Sequence, residues 1–193
     1  MKRLCVFCGS SMGNDPAYAA AATEVGKLLA ERGIELVYGG GNVGLMGTVA
    51  RSALEHGGDV IGIIPRSIFD KEVGNPGVTE LFVVNSMHER KTMMATLSDG
   101  FIALPGGYGT LEEFIEVTTW SQLGFHEKPC ILLNINQYYE KLIDLVDHFV
   151  GEGFVKPNMR ELILSADTPT ELMHVLDDYE PVNLHKWLDE SDL

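Results

Sequence analysis

The chain has 193 residues, 45% of them hydrophobic and 22% charged, and a formal net charge of −14. That length suits one α/β domain with a sizeable core and leaves little room for a second. The acidic balance argues against a broad nucleic-acid-binding face, which needs many Lys and Arg contacts to phosphates, so an anionic ligand would have to be held locally, by glycine-loop amides, a helix N-terminus and a few basic residues.

In chain order, short β-rich runs alternate with longer helical ones. Leu4–Phe7 reads as a strand ending in the small-residue turn Cys8-Gly9-Ser10-Ser11. Cys5 and Cys8 spell C-x-x-C, but a lone pair in an apolar strand is a weak zinc signal, and core packing is the expectation. With Cys130 as the third cysteine there is no disulfide framework, which fits a reducing, cytoplasmic setting. The apolar run after Met1-Lys2-Arg3 is too short for a signal segment or a membrane span. Asp15-Pro16 marks a helix start, and the helix runs to about Arg32, before Gly33. Ile34–Tyr38 is the next strand, Gly44 to His56 the next helix, and Val60–Ile64 a third strand. Pro65 to Pro76 reads as a polar loop, followed by the strand Glu80–Val84. Ser86-x-x-Glu89 is a capping box that opens a helix to about Leu97. Gly100–Leu104 is a strand, with a helix from the following glycine loop to about Leu123. Cys130–Asn134, a helix over Tyr138–Val150, a short strand Leu162–Leu164 and a last helix opened by Thr168-Pro169-Thr170-Glu171 complete the pattern. Such alternation predicts a doubly wound parallel sheet with helices on both faces. Residues 1–180 form the single nucleotide-binding catalytic domain in this reading, and 181–193 an acidic C-terminal tail.

Two glycine clusters fall at strand carboxyl ends, where such sheets bind ligands. The first, Gly39-Gly40-Gly41-Asn42-Val43-Gly44, matches G-x-G-x-x-G. It follows the second strand rather than the first, and the next strand ends Ile64-Pro65-Arg66, without the acid that would hold a ribose hydroxyl. A mononucleotide phosphate cradle fits it better than a dinucleotide fingerprint; a tight turn is the bland alternative. The second, Pro105-Gly106-Gly107-Tyr108-Gly109-Thr110-Leu111-Glu112-Glu113, joins a buried strand to a helix. There the backbone can approach an anion closely beneath a helix N-terminus. Glu113 reads either as a functional carboxylate or as the last member of a capping box, Thr110-x-x-Glu113. Met87-His88-Glu89-Arg90-Lys91 places two cations in the first turn of a helix, against its dipole, which points to a bound anion or to a solvated basic patch.

Together these segments resemble the LOG ("Lonely Guy") family, with its P-G-G-x-G-T-x-x-E and M-H-x-R-K signatures; the likeness runs from about Arg3 to Tyr179. The resemblance implies a Rossmann-like fold, a homodimer, and a phosphoribohydrolase that cleaves purine or cytokinin nucleoside 5′-monophosphates, AMP among them, to free base and ribose 5-phosphate. It implies Arg90 and Glu113 as catalytic residues. It places nucleotide binding on Glu72, Arg90, Lys91, Gly107, Tyr108, Gly109, Thr110, Leu111, Glu112, Glu113 and Thr119. No cofactor and no metal are expected. An older family label, lysine decarboxylase, lacks support in the residues, because that chemistry normally needs pyridoxal phosphate on a lysine with a partner for the pyridine nitrogen. The competing readings are a nucleotide-binding module without turnover and an NADP-dependent oxidoreductase. Met93, Met94, Leu97, Phe114, Val117 and Trp120 are candidates for either a dimer interface or core.

Overall fold

The first strand sorts the core into two halves. Residues Arg3–Phe7 form β1, and its alternate side chains pack to opposite faces of the sheet. Leu4 and Val6 join one apolar cluster, and Cys5 and Phe7 the other.

The computed structural model describes residues 1–69 and 74–182. After β1 come α1 (Pro16–Glu31), β2 (Glu35–Tyr38), α2 (Gly44–Glu55), β3 (Val60–Pro65), α3 (Arg66–Phe69), β4 (Glu80–Val84) and α4 (Met87–Leu97). Then follow β5 (Gly100–Ala103), α5 (Tyr108–Gln122), β6 (Cys130–Leu133), α6 (Glu140–Gly151), α7 (Pro157–Arg160), β7 (Ile163–Ala166) and α8 (Pro169–Asp177). The strands form one parallel seven-stranded sheet in the order β4-β3-β2-β1-β5-β6-β7. Helices α1, α2 and α8 cover the face carrying Leu4 and Val6. Helices α4, α5 and α6 cover the face carrying Cys5 and Phe7. This is the doubly wound arrangement that the alternation of strands and helices predicts.

Strand order reverses between β1 and β5, which pair over Leu4–Gly100 to Phe7–Ala103. In such sheets a crevice opens beyond the carboxyl ends of the two strands at that point. The loops leaving β1 and β5, Cys8–Ser11 and Leu104–Gly107, therefore face each other there. Gly9 N–H donates to Pro105 O at 3.1 Å and closes the base of the crevice.

Local differences from the sequence reading have physical causes. Asn136 and Gln137 sit at positive φ, 50° and 60°, inside a 3-10 turn, Ile135–Gln137, so α6 starts at Glu140 rather than at Tyr138. The loop after β3 begins with the helical turn α3, and α7 was not expected at all; both are four residues long, too short for a periodic signal. Met94, Phe114 and Val117 are buried core. Met93, Leu97 and Trp120 pack partly buried against the same cluster.

All three cysteines are buried and unpaired. Burial, with the Glu113 carboxylate as the next cause, pushes the Cys5 and Cys8 thiols well above the usual thiol range; burial lifts Cys130 to about 12. A thiol pKa raised this way leaves the protonated, unreactive form dominant at neutral pH. Titration of the native protein with an aromatic disulfide at pH 8 should label none of the three, and full labelling should appear only on unfolding.

Candidate active site

Arg90 is the least ordinary side chain of the crevice. It lies in the first turn of α4, yet is only 6% exposed. Its Nη2 donates to Gly39 O at 3.1 Å, its Nη1 lies 3.9 Å from the Met87 sulfur, and its buried Nε has no hydrogen-bond partner among the described residues. A guanidinium offers five donors. Leaving a buried donor unsatisfied costs on the order of 1–3 kcal/mol, more for a charged group.

The first glycine cluster explains how Arg90 fits. A Cβ on Gly39 would overlap the Arg90 Nη2. Gly39 thus makes room for a protein cation. The helix behind it is closed to ligands, because Leu45 and Met46 N–H both donate to Gly9 O, at 3.0 and 3.3 Å. That removes the amides a dinucleotide pyrophosphate would use.

Helix α5 differs. Its N-cap is Gly107, in an extended conformation, and no side chain caps it. Tyr108, Gly109 and Thr110 N–H meet no acceptor among the described residues, and the first intrahelical bond is Leu111 N–H to Gly107 O at 3.1 Å. Capping boxes do form elsewhere. Ser86 accepts from Glu89 N–H at 3.1 Å while Glu89 accepts from Asn85 N–H at 2.8 Å, and Thr168 and Glu171 repeat the pattern. The Thr110-x-x-Glu113 box is not made, because the helix begins before it: Thr110 is a buried residue inside α5. A Cβ on Gly106 would overlap the Thr110 hydroxyl, so the Gly106-Gly107 ribbon lies flat against the helix start.

A cavity of about 210 Å³ brings these parts together, lined by Cys8, Gly9, Ser10, Met46, Arg90, Gly107, Tyr108, Gly109, Thr110 and Glu113. It combines a helix N-terminus with open amides, a buried cation and a carboxylate, the elements needed to bind a phosphorylated sugar and act on it. Among the described residues no cluster of His, Cys, Asp or Glu is arranged to hold a metal ion.

Other residues implied by the family motifs stand elsewhere. Lys91 turns away from Arg90, and its Nζ is clamped by Glu112 Oε1 at 2.6 Å and Glu116 Oε1 at 2.9 Å, joining α4 to α5. Leu111 and Glu112 are on the exposed side of α5. Thr119, whose hydroxyl donates to Ile115 O at 2.7 Å, lies nine residues beyond Thr110, roughly 13 Å along the helix axis. Glu72 falls outside the described residues. Sequence reasoning missed Met46 as a lining residue, since an apolar residue in a helical stripe carries no such mark.

An open, doubly wound sheet with an anion-ready glycine loop at its switch point defines a nucleotide-binding α/β protein. Comparison with known proteins narrows the class. The family model described as "Possible lysine decarboxylase" matches residues 46–176. The chain is 52% identical over 182 residues to cytokinin riboside 5′-monophosphate phosphoribohydrolase LOG5 of Arabidopsis thaliana, covering 94% of this chain and 80% of that protein. It is 51% identical over 180 residues to cytokinin riboside 5′-monophosphate phosphoribohydrolase LOG of Oryza sativa subsp. japonica, covering 93% and 74%. The chain belongs to the LOG family. Solved structures share its fold at lower identity. The molybdenum cofactor binding protein of Rippkaea orientalis has a TM-score of 0.68 at 23% identity, covering 92% of this chain and 96% of that one. The molybdenum cofactor carrier protein of Chlamydomonas reinhardtii has 0.67 at 20%, covering 91% and 96%.

Gly39→Ala should test how Arg90 is held. The colliding atom is the end of a flexible side chain, so the fold survives with a small change in melting temperature, while the guanidinium is displaced. Nucleotide affinity measured by calorimetry should fall about tenfold or more, as for loss of a charged hydrogen-bond partner.

Proposed function

We propose that this protein hydrolyses the N-glycosidic bond of purine nucleoside 5′-monophosphates, cytokinin nucleotides and AMP included, to free base and ribose 5-phosphate. The observation that carries this reading is the single cavity in which Arg90, Glu113 and the open N-terminus of α5 meet. It is supported by the half-identity to proteins named for that reaction.

In this account the 5′-phosphate sits on the Tyr108, Gly109 and Thr110 amides, where partial positive charge is already in place and needs no reorganisation. Arg90 supplies charged donors from a buried, low-dielectric position, where they act more strongly than in water. Cleavage breaks the bond from C1′ to the base nitrogen and builds positive charge on the ribose ring. The Glu113 carboxylate stabilises that charge and takes a proton from the attacking water. The hydroxyl of that water ends on C1′, and the proton taken by Glu113 is balanced by one that the departing base nitrogen takes up from solvent, so that Glu113 returns to the carboxylate when it releases its own. Energy from holding the distant phosphate positions the sugar, so nucleosides should be poor substrates. Lys91, paired with two carboxylates, acts by fixing α4 against α5 and so placing Arg90 and Glu113.

The same reading includes a homodimer. Leu111, Ile115 and Thr119 in α5 and Leu123 at its C-cap recur every four residues and are all exposed. A second copy packed on this stripe would bury it, and would give Thr119 a route to nucleotide binding that it lacks within its own chain.

Two measurements test these points. Glu113→Gln should lower free-base release from AMP or isopentenyladenosine monophosphate by at least about a hundredfold, with affinity changed less than about threefold. A near wild-type rate would remove Glu113 from the chemistry. Ile115→Arg should shift the sedimentation mass to that of one 21.2 kDa chain and abolish turnover; a monomeric wild type with full activity would remove the dimer from the account.

A further inference from the structure

The ribbon Leu104–Gly107 is held by its carbonyls. Leu104 O accepts from the Tyr139 hydroxyl at 2.6 Å, Pro105 O from Gly9 N–H at 3.1 Å, and Gly106 O from the Tyr138 hydroxyl at 2.6 Å. In a trans peptide the carbonyl and the next N–H point in opposite directions. Turning Gly106 O toward Tyr138 therefore turns Gly107 N–H the other way. The Gly106-Gly107 peptide lies between two residues without side chains and is the part of the ribbon most easily rotated. Rotated, it would present an oxygen where an anion needs a donor.

Tyr138 is itself placed at a cost. The two residues before it, Asn136 and Gln137, both take left-handed φ, which is uncommon and strained for non-glycine residues. That turn is tied down by Asn136 Nδ2 to Asp15 Oδ2 at 2.8 Å and by Tyr139 N–H to Asn134 Oδ1 at 2.7 Å. The Tyr138 ring is wedged edge-on between Tyr18 and Tyr139, with centroids 5.4 and 4.9 Å away. It lines two further cavities, of about 290 and 350 Å³, both bordered by Gly106 and Gly107.

We propose that Tyr138 is a positioning residue for phosphate recognition: its hydroxyl locks the Gly106-Gly107 peptide with the Gly107 N–H directed at the anion. It does not touch the reacting atoms. The inference rests on the phosphoribohydrolase reading for the identity of the ligand, but its test does not need turnover.

The experiment is titration calorimetry of wild type and Tyr138→Phe with ribose 5-phosphate, AMP and adenosine, beside steady-state kinetics and a melting curve. Phenylalanine keeps the ring packing and removes only the hydroxyl. The expected result is a five- to tenfold loss of affinity for both phosphorylated ligands, about the worth of one hydrogen bond. Adenosine binding and melting temperature should change little, and KM for AMP should rise with kcat nearly unchanged. Equal losses for adenosine and AMP, or no loss for either, would overturn the proposal while leaving the hydrolase reading intact. A selective loss of phosphorylated ligands with no turnover even in wild type would uphold the proposal and end the hydrolase reading. A wild type indifferent to the phosphate group would overturn both.

Discussion

A buried guanidinium short of hydrogen-bond partners is the constraint around which the rest of the site is arranged. Arg90 is drawn under the sheet edge by the Gly39 carbonyl, and Gly39 has to lack a side chain for that to happen. Its Nη2 is bonded to that neutral carbonyl, and its buried Nε has no hydrogen-bond partner among the described residues. Burying a charged group is costly, and replacing one by an apolar side chain is often neutral or stabilising. The protein gains a charged donor that needs no rearrangement when an anion arrives. The uncapped start of α5 is the second half of the same trade. The chain builds side-chain caps at α1, α4 and α8; α2, α6 and α7 have none, and the start of α5, also without one, opens on the cavity.

The topology explains why these two features meet. Strand order reverses between β1 and β5, so the loops after them separate at their tips while staying bonded at their bases through Gly9 and Pro105. Helix α5 enters the crevice from β5, and α4 reaches it from the same face of the sheet. Lys91, Glu112 and Glu116 pin the two helices together just outside the cavity. Charge of both signs is thereby used up at the rim, and Arg90 remains as the cation of the cavity lining.

Much of the fold was legible because its causes are local. β2 stops before Gly39 and β3 on Pro65, and the boxes at Ser86 and Thr168 formed as their patterns predict. The site was harder to read because its causes are not local. A run such as Gly39-Gly40-Gly41 reports that side chains are excluded, not what excludes them; here it is an arginine 51 residues away. Thr110-x-x-Glu113 has the same spacing as the true boxes, but an extended Gly107 lets the helix begin earlier. The pairing of Lys91 with residues 21 and 25 positions on depends on how α4 packs against α5. Asn136 is a residue that tolerates left-handed φ, but a single Asn is a weak turn mark, and Gln137 beside it carries none. Family motifs single out Arg90 and Glu113; the packing of α4 and α5 at the switch point brings both into one cavity.

The most direct test of this account is the melting temperature of Arg90→Met, with and without saturating AMP. Methionine keeps most of the volume and removes the charge. If Arg90 is held for a ligand and not for the fold, the unliganded variant should melt at the wild-type temperature or a few degrees above it, as when a buried charged group is replaced by an apolar one. The rise in melting temperature that AMP gives the wild type should vanish. A fall of about 10 °C without ligand, or an AMP shift equal to that of the wild type, would contradict the claim that this cation is there for the substrate's anion.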